Sequence, residues 1–491
     1  MWFKEITEHG PNIGYYPKPS KSWLIVKENH LEEALREFHG TGVNITTEGN
    51  RHLGAVLGSD ENRRKYVSDL VSTWTQELIV LSDIAKSYPH CAYTAYVFGF
   101  QHKYTYTMRT ISNIENEFVP LEDTIRNTFL PALLNGHICN DEERRLFSLP
   151  VKQGGLAIQN PIGRSPIEYY NSREATAAMV EKVKQQEEIY DQALEISQVT
   201  TVRKLNSDKI KRNQDKLERL KQNLSDPINE RCLEASMEKG ASNWLTTLPI
   251  KQYGFLLDKQ SFWDSLYIRY NIPLKRLPPY CVCGALFKLD HVLSCPKGGF
   301  IALRHNEIRD VTADALSECC KDVAVEPVLQ EVTGEDLPPS AIKSDEARVD
   351  VAARGFWVKG QVAYLDVKVF NPTAKTYLTQ TLQASHRSNE NAKKRSYNRR
   401  VNFIDHGSFT PLVFTCFGGM AKECLTFYNR LAEMIAEKRD DDINVVKNWL
   451  RTRLSFSLLR SQLLCLRGSR SAKKIFAEND DMSLITAESF P

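Results

Sequence analysis

The stretch Gln361-Val-Ala-Tyr-Leu-Asp-Val-Lys-Val-Phe370 decides the fold of the C-terminal half of the chain. Apolar and aromatic residues dominate it, which favours a buried β-strand. Side chains alternate between the two faces of a strand, so Asp366 and Lys368 are expected to share one face. The stretch therefore predicts a core strand that carries a carboxylate and an ammonium group side by side.

Segments on both sides of this strand predict a small α/β domain around it. Apolar runs predict further strands, and a period near 3.6 residues predicts helices. The predicted strands cover residues 323–329, 347–353 and 411–417, and the predicted helices cover residues 304–316, 376–400 and 421–438. The order is helix, three strands, helix, strand, helix.

Acidic side chains on neighbouring strands suggest a cation site. Asp350 lies on the predicted strand that precedes the strand of Asp366. Two carboxylates can hold Mg²⁺ or Mn²⁺. Such an ion lowers the pKa of a bound water and stabilises charge on a phosphate, and Lys368 can orient the water. Glu326 on the first strand, or Glu307 on the leading helix, is a candidate for a further carboxylate, with Glu326 ranked higher. Ordinary ion pairs on a sheet are the alternative.

A cysteine and histidine cluster precedes this domain. Cys281, Cys283, His291 and Cys295 are separated by one, seven and three residues. Thiolate and imidazole are the ligands that tetrahedral zinc prefers, and four protein ligands make a closed structural site. Gly284 allows the turn after the second cysteine. The cluster predicts one structural Zn²⁺; the alternative is a set of free cysteines around a core histidine.

Composition excludes several protein classes. The 491 residues are 42% hydrophobic and 25% charged, which is typical of globular proteins. We find no apolar run long enough for a transmembrane helix and no signal-peptide pattern at the N-terminus, so we expect an intracellular protein that does not contact a membrane. Eleven cysteines at loose spacing do not resemble a secreted disulfide scaffold.

Basic residues are concentrated in two stretches, although the net charge is only +3. Residues 202–224 contain eight basic and three acidic residues, and residues 386–400 contain six and one. Both stretches predict either a solvated helix or a surface that contacts phosphates. The candidate nucleic-acid contacts in the second stretch are Lys393, Lys394, Arg395, Arg399 and Arg400.

The N-terminal part is expected to begin with strands and to continue with helices. Residues 23–26 and 52–58 predict short strands, residues 40–49 predict a hairpin, and residues 61–134 predict a helical bundle.

The C-terminal motifs resemble those of a known family. Asp350, followed by Asp366-x-Lys368 in this order of elements, resembles the PD-(D/E)xK restriction-like nuclease core. Together with the cluster of cysteines and Arg304-His305-Asn306, it is similar to the C-terminal end of non-LTR retrotransposon proteins that carry such an endonuclease. Lys21-Ser-Trp-Leu-Ile-Val26 and His52-Leu-Gly-Ala-Val-Leu-Gly58 look like the last palm motifs of their reverse transcriptase.

The resemblance implies an α+β multidomain protein. Its expected parts are a residual reverse-transcriptase palm (1–60), a helical thumb-like region (61–160), a charged helical linker (161–275), a CCHC zinc knuckle (276–300), an α/β endonuclease-like domain (301–440), and a C-terminal helix and tail (441–491). Leu149 to Ile158 resembles the segment that follows the thumb. Arg304 and His305 are expected to contact nucleic acid.

The resemblance also has departures. The Tyr/Phe-x-Asp-Asp turn of the polymerase centre is missing, so the chain is expected to be truncated and to lack reverse transcriptase activity. Val349 replaces the proline of the nuclease pattern, and Asp366 stands where glutamate is frequent. The expected function is a metal-dependent endonuclease that nicks target DNA, with element RNA as a further partner and the nucleus as its location. The alternative is a nucleic-acid-binding remnant without catalysis.

Overall fold

A computed structural model describes residues 2–189 and 191–468, and the end of the expected C-terminal tail lies outside the described residues. The described chain is a mixture of helices and small sheets, which confirms the α+β class. The helices are α1 (Trp2–His9), α2 (Leu31–Glu37), α3 (Asp60–Ala85), α4 (Pro89–Phe98), α5 (Thr105–Thr110), α6 (Val119–Thr124), α7 (Leu130–Leu133), α8 (Asp141–Ser148), α9 (Pro161–Gln185), α10 (Gln192–Asn223), α11 (Pro227–Met237), α12 (Asn243–Thr246), α13 (Lys259–Tyr270), α14 (Leu289–Val292), α15 (Phe300–Ser317), α16 (Lys375–Leu378), α17 (Leu382–Phe403), α18 (Lys422–Arg439) and α19 (Ile443–Arg467). The strands are β1 (Trp23–Ile25), β2 (Asn44–Thr46), β3 (Gly49–His52), β4 (Ala55–Gly58), β5 (Lys321–Val325), β6 (Val351–Arg354), β7 (Val362–Phe370) and β8 (Ser408–Thr415). Within the described ranges, no helix is both long and apolar enough to cross a membrane.

The chain divides into two compact units that cut across the expected domain boundaries. Among the described residues, unit 1 holds 2–84, 95–132 and 159–214, and unit 2 holds 85–94, 133–158 and 215–468. Helix α19, expected as a separate C-terminal element, packs against α15 and α18 inside unit 2. Its apolar face, which includes Leu450, Leu454 and Leu458, is buried, so it belongs to the same folded body as the sheet.

Unit 1 contains two very small sheets. β1 pairs in parallel with β2, and β3 pairs antiparallel with β4. The hairpin expected over 40–49 lies at 49–58 instead. Leu53 and Gly54 both have positive φ, 47° and 81°, which is the backbone twist that a two-residue hairpin turn requires. The sequence pattern missed this turn because leucine is unusual at such a position.

The helices of unit 1 pack around aromatic side chains. Trp74 on α3 lies 5.7 Å from Tyr104 and 6.4 Å from Phe118, measured between ring centroids. Tyr104 and Phe118 are fully buried. The helical bundle expected from residue 61 onwards therefore has a core, and aromatic burial of this size is a large stabilising contribution.

Unit 2 is built around a four-stranded sheet in the order β5-β6-β7-β8. β5, β6 and β7 are antiparallel neighbours, whereas β7 and β8 are parallel. The observed order from α15 to α18, apart from the short α16, matches the expected order of helix, three strands, helix, strand, helix. β8 is buried along nearly its whole length, and α17 and α18 pack against it.

We predict that residues 2–59 are the least protected stretch among the described residues. Only Gly10, Ala34 and Val56 are buried among residues 2–59, and both small sheets have free edges. A segment with so few buried contacts opens at low free-energy cost, so proteinase K should cut it first. Mass spectrometry of early fragments checks this. First cuts between β6 and β8 would contradict it.

Candidate active site and metal centre

The pairing of β6 with β7 brings Asp350 and Asp366 together. Val351 pairs with Leu365, so Asp350, one position earlier, lies beside Asp366, one position later. The main-chain N–H of Asp350 donates to the carbonyl of Leu365 at 3.0 Å. Its carboxylate Oδ2 accepts a hydrogen bond of 2.5 Å from the N–H of Val367. The register that a shared site requires is therefore present.

Asp366 is held in a buried environment beside an ammonium group. Its side chain is 5% exposed, and the Nζ atom of Lys393 on α17 forms an ion pair with its Oδ2 atom. Burial raises the pKa of the Asp366 carboxyl, and the negative charge of Asp350 adds to the rise, whereas Lys393 opposes it. The carboxyl pair and Lys393 thus form one electrostatic unit.

Lys368 lies two residues beyond Asp366 on β7, and the alternation of side chains along a strand places both on one face. Over a third of the residue is exposed, yet partial desolvation and then the positive charge of Lys393 lower the pKa of its ammonium group. A lysine that loses its proton more easily than usual is suited to handling a water molecule.

His305, expected to contact nucleic acid, lies in this site. Its Nε2 atom is 3.0 Å from Asp350 Oδ2 and 3.1 Å from the carbonyl oxygen of Val367. Both partners are acceptors, so Nε2 carries the hydrogen. The hydrogen bond to Asp350 raises the pKa of the imidazole, and burial opposes this rise.

Neither further carboxylate joins the two aspartates. Glu326 is 51% exposed and forms an ion pair with Arg309 on α15. Glu307 accepts a hydrogen bond of 2.9 Å from the hydroxyl of Ser457. Among the described residues, Asp350 does not belong to any cluster of three or more possible metal ligands. The expectation that Glu326 completes the acid cluster is therefore corrected: its partner is a guanidinium group.

Two of the expected nucleic-acid contacts are buried. Arg400 is fully buried and donates to the main-chain carbonyls of Gln330, Ile342 and Ser344. Arg304 is 2% exposed and donates to the carbonyl of Leu293. Both guanidinium groups stabilise loops inside unit 2, so the expectation that they contact phosphates is wrong.

The remaining basic residues of α17 point in different directions. Lys393 contacts Asp366, and Lys394 forms an ion pair with Glu423. Arg387, Arg395 and Arg399 are exposed, and spacings of eight and four residues place them on one face of the helix. We call these three residues the α17 arginine stripe.

Tyr397 is a member of the site that sequence reasoning missed. The Nζ atom of Lys393 lies 5.9 Å from the centroid of its ring. Burial and the charges of Asp366 and Asp350 raise the pKa of the Tyr397 hydroxyl. The signal for it was the four-residue spacing from Lys393, which puts both side chains on one face of α17.

The second site is the cysteine and histidine cluster. Ligand atoms of Cys281, Cys283, His291 and Cys295 all lie within 4.8 Å of one another. Cys281 and Cys283 lie on a tight turn closed by Gly284, which has a φ of 89° and whose N–H donates to the carbonyl of Cys281 at 2.8 Å. Helix α14 supplies His291. This donor set could bind a metal ion such as zinc.

The thiol groups of this cluster influence one another. Burial raises the pKa of Cys281. Hydrogen bonds from the Cys283 main chain and from the side chains around it outweigh this effect and lower the pKa to about 6. Burial raises the pKa of Cys295. A thiol that ionises below neutral pH is prepared for metal binding, because the thiolate is the ligand.

Comparison with known proteins gives no further assignment, since no family model matches the chain and no curated protein is similar to it.

We predict that purified protein contains about one zinc ion per chain. Cys295→Ser should lose most of it, because three ligands bind zinc less tightly than four, and the melting temperature should fall with it. Elemental analysis and thermal unfolding measure the two effects. Cys320→Ser, outside the cluster, is the matched control, and full zinc content in Cys295→Ser would contradict the ligand set.

Proposed function

We propose that the chain is a metal-dependent endonuclease that nicks DNA. The observation that carries the proposal is the side-by-side position of Asp350 and Asp366, with Lys368 two residues further along β7. Two carboxylates and a neighbouring main-chain carbonyl are hard oxygen donors, which suit Mg²⁺ or Mn²⁺.

Each residue has a defined part in the proposed reaction. Asp350 and Asp366 would hold the ion, whose contribution is a more acidic water and charge stabilisation on the phosphate. Lys368, with its lowered pKa, would orient the attacking water. The largely buried ring of Tyr397 would pack beside Lys393, whose Nζ atom lies 5.9 Å from the ring centroid.

The proposal extends to the rest of the chain by resemblance. We take residues 301–440 as a restriction-endonuclease-like domain, residues 276–300 as a zinc knuckle, and residues 1–60 and 61–160 as remnants of a reverse-transcriptase palm and thumb. Residues 161–275 would be the linker. Polymerase activity is not expected, the partners would be target DNA and element RNA, and the reaction would occur in the nucleus.

A nucleic-acid-binding protein without catalysis is the second candidate. One observation favours it: Glu326, the expected third carboxylate, is held by Arg309. With only two acidic ligands the centre would bind an ion weakly. The α17 arginine stripe would still contact phosphates in that case, so binding alone does not separate the two candidates.

We predict that the chain nicks supercoiled plasmid in the presence of Mg²⁺ or Mn²⁺. Asp366→Asn should lower the rate by on the order of a hundredfold or more, because it removes an anionic ligand from the centre of charge stabilisation. Gel analysis of relaxed circles gives the rate. Asp345→Asn, an exposed aspartate outside the site, should nick normally. Wild-type protein that is silent with every divalent ion would favour the second candidate.

We predict that the α17 arginine stripe accounts for part of the salt dependence of DNA binding. Replacing Arg395 and Arg399 with alanine should make the negative slope of log affinity against log salt shallower by about 1.8, since each phosphate contact contributes about 0.9. Fluorescence anisotropy with a duplex measures the slope. Alanine at the exposed Lys321 and Lys359 is the matched control, and an unchanged slope in the stripe variant would contradict this contact.

A further inference from the structure

Both carboxylates of the proposed metal centre already have protein partners. Lys393 forms an ion pair with Asp366 Oδ2, and His305 Nε2 donates to Asp350 Oδ2. The two partners come from different helices, α17 and α15. A divalent cation would meet one oxygen that already faces an ammonium group and one that already accepts a hydrogen bond.

The position of the His305 imidazole resembles that of a bound cation. Its Nε2 atom lies 3.0 Å from a carboxylate oxygen and 3.1 Å from the carbonyl oxygen of Val367. The same carboxylate oxygen also accepts from the Val367 N–H. Acceptor oxygens from a side chain and the main chain converge on one donor there, as they would on a hard cation.

Burial explains why such partners are needed. The Asp366 side chain is 5% exposed, and a buried carboxylate without a counter-ion is strongly destabilising. Lys393 is 26% exposed, so its ammonium group can reach solvent when it leaves Asp366. It also has the ring of Tyr397 as a neighbour at 5.9 Å.

We propose that Lys393, as an internal counter-ion of Asp366, and His305, as a hydrogen-bond donor to Asp350, are positioning residues, and that a divalent cation binds only by displacing them. The inference rests on the proposed metal centre. Displacement subtracts from metal affinity, because the binding free energy then includes the loss of two internal contacts. The free protein therefore keeps both carboxylates in contact with protein partners at a cost to metal loading.

Removing either partner should tighten metal binding rather than weaken it, an effect that a purely structural role would not produce. Lys393→Met and His305→Leu should each lower the dissociation constant for Mn²⁺ on the order of tenfold. Lys393→Arg keeps the charge and should bind as the wild type does. Lys394→Met, next to Lys393 but paired with Glu423, should not change the constant.

The experiment is a Mn²⁺ titration of the zinc-loaded full chain by calorimetry, with no nucleic acid present. Thermal unfolding with and without Mn²⁺ is the second readout, and Mn²⁺ should stabilise Lys393→Met more than the wild type. If Lys393→Met does not fold, His305→Leu decides alone.

The outcomes separate this inference from the proposed function. Loss of Mn²⁺ binding in Asp366→Asn, with wild-type or weaker binding in both Lys393→Met and His305→Leu, would overturn the inference and leave the metal centre in place. Two results would overturn both the inference and the proposed metal centre. One is Mn²⁺ binding by Asp366→Asn as tight as that of the wild type, and the other is no Mn²⁺ binding by the wild type or any variant. Mn²⁺ binding by Lys393→Met without detectable binding by the wild type would support both the inference and the metal centre.

Discussion

The register of β7 is the constraint on which the site in unit 2 depends. β7 pairs along its length with β8, from Ala363 opposite Ser408 to Phe370 opposite Thr415, and over its first half with β6. A shift of one residue would turn every side chain of β7 to the other face of the sheet. Asp366 would then leave Asp350, and the buried apolar residues around it would lose their packing. Two sets of ladder hydrogen bonds therefore fix the geometry of the acid pair.

Burial of this pair determines which helix residues surround it. A carboxylate inside a sheet needs positive charge or hydrogen-bond donors nearby, and the sheet itself supplies only Lys368 and main-chain N–H groups. The helices on either side supply the rest, as His305 from α15 and Lys393 from α17. Helix α17 thus presents Lys393 to the acid pair, whereas its arginine stripe is exposed to solvent.

The order of helices and strands could be predicted from the sequence, but the contacts of the charged side chains could not. The order of strands and helices around Gln361–Phe370 could be predicted, because apolar periodicity determines it. The directions of basic residues on α17 could not, because the stretch is charged on every face. Arg400 is fully buried against three carbonyls, a role that depends on loops distant in sequence. Glu326 likewise was assigned by strand proximity, whereas its partner Arg309 lies on a helix.

The cysteine and histidine cluster and the acid pair are connected through α15. Arg304, adjacent to His305, donates to the carbonyl of Leu293, which lies between the cluster residues His291 and Cys295. Asn371, directly after β7, donates to the carbonyl of Asp290 on α14 at 3.5 Å. A metal bound by the cluster would stabilise the segment that contacts both the start of α15 and the end of β7. The position of His305 relative to Asp350 therefore depends on the cysteine and histidine cluster as well as on the sheet.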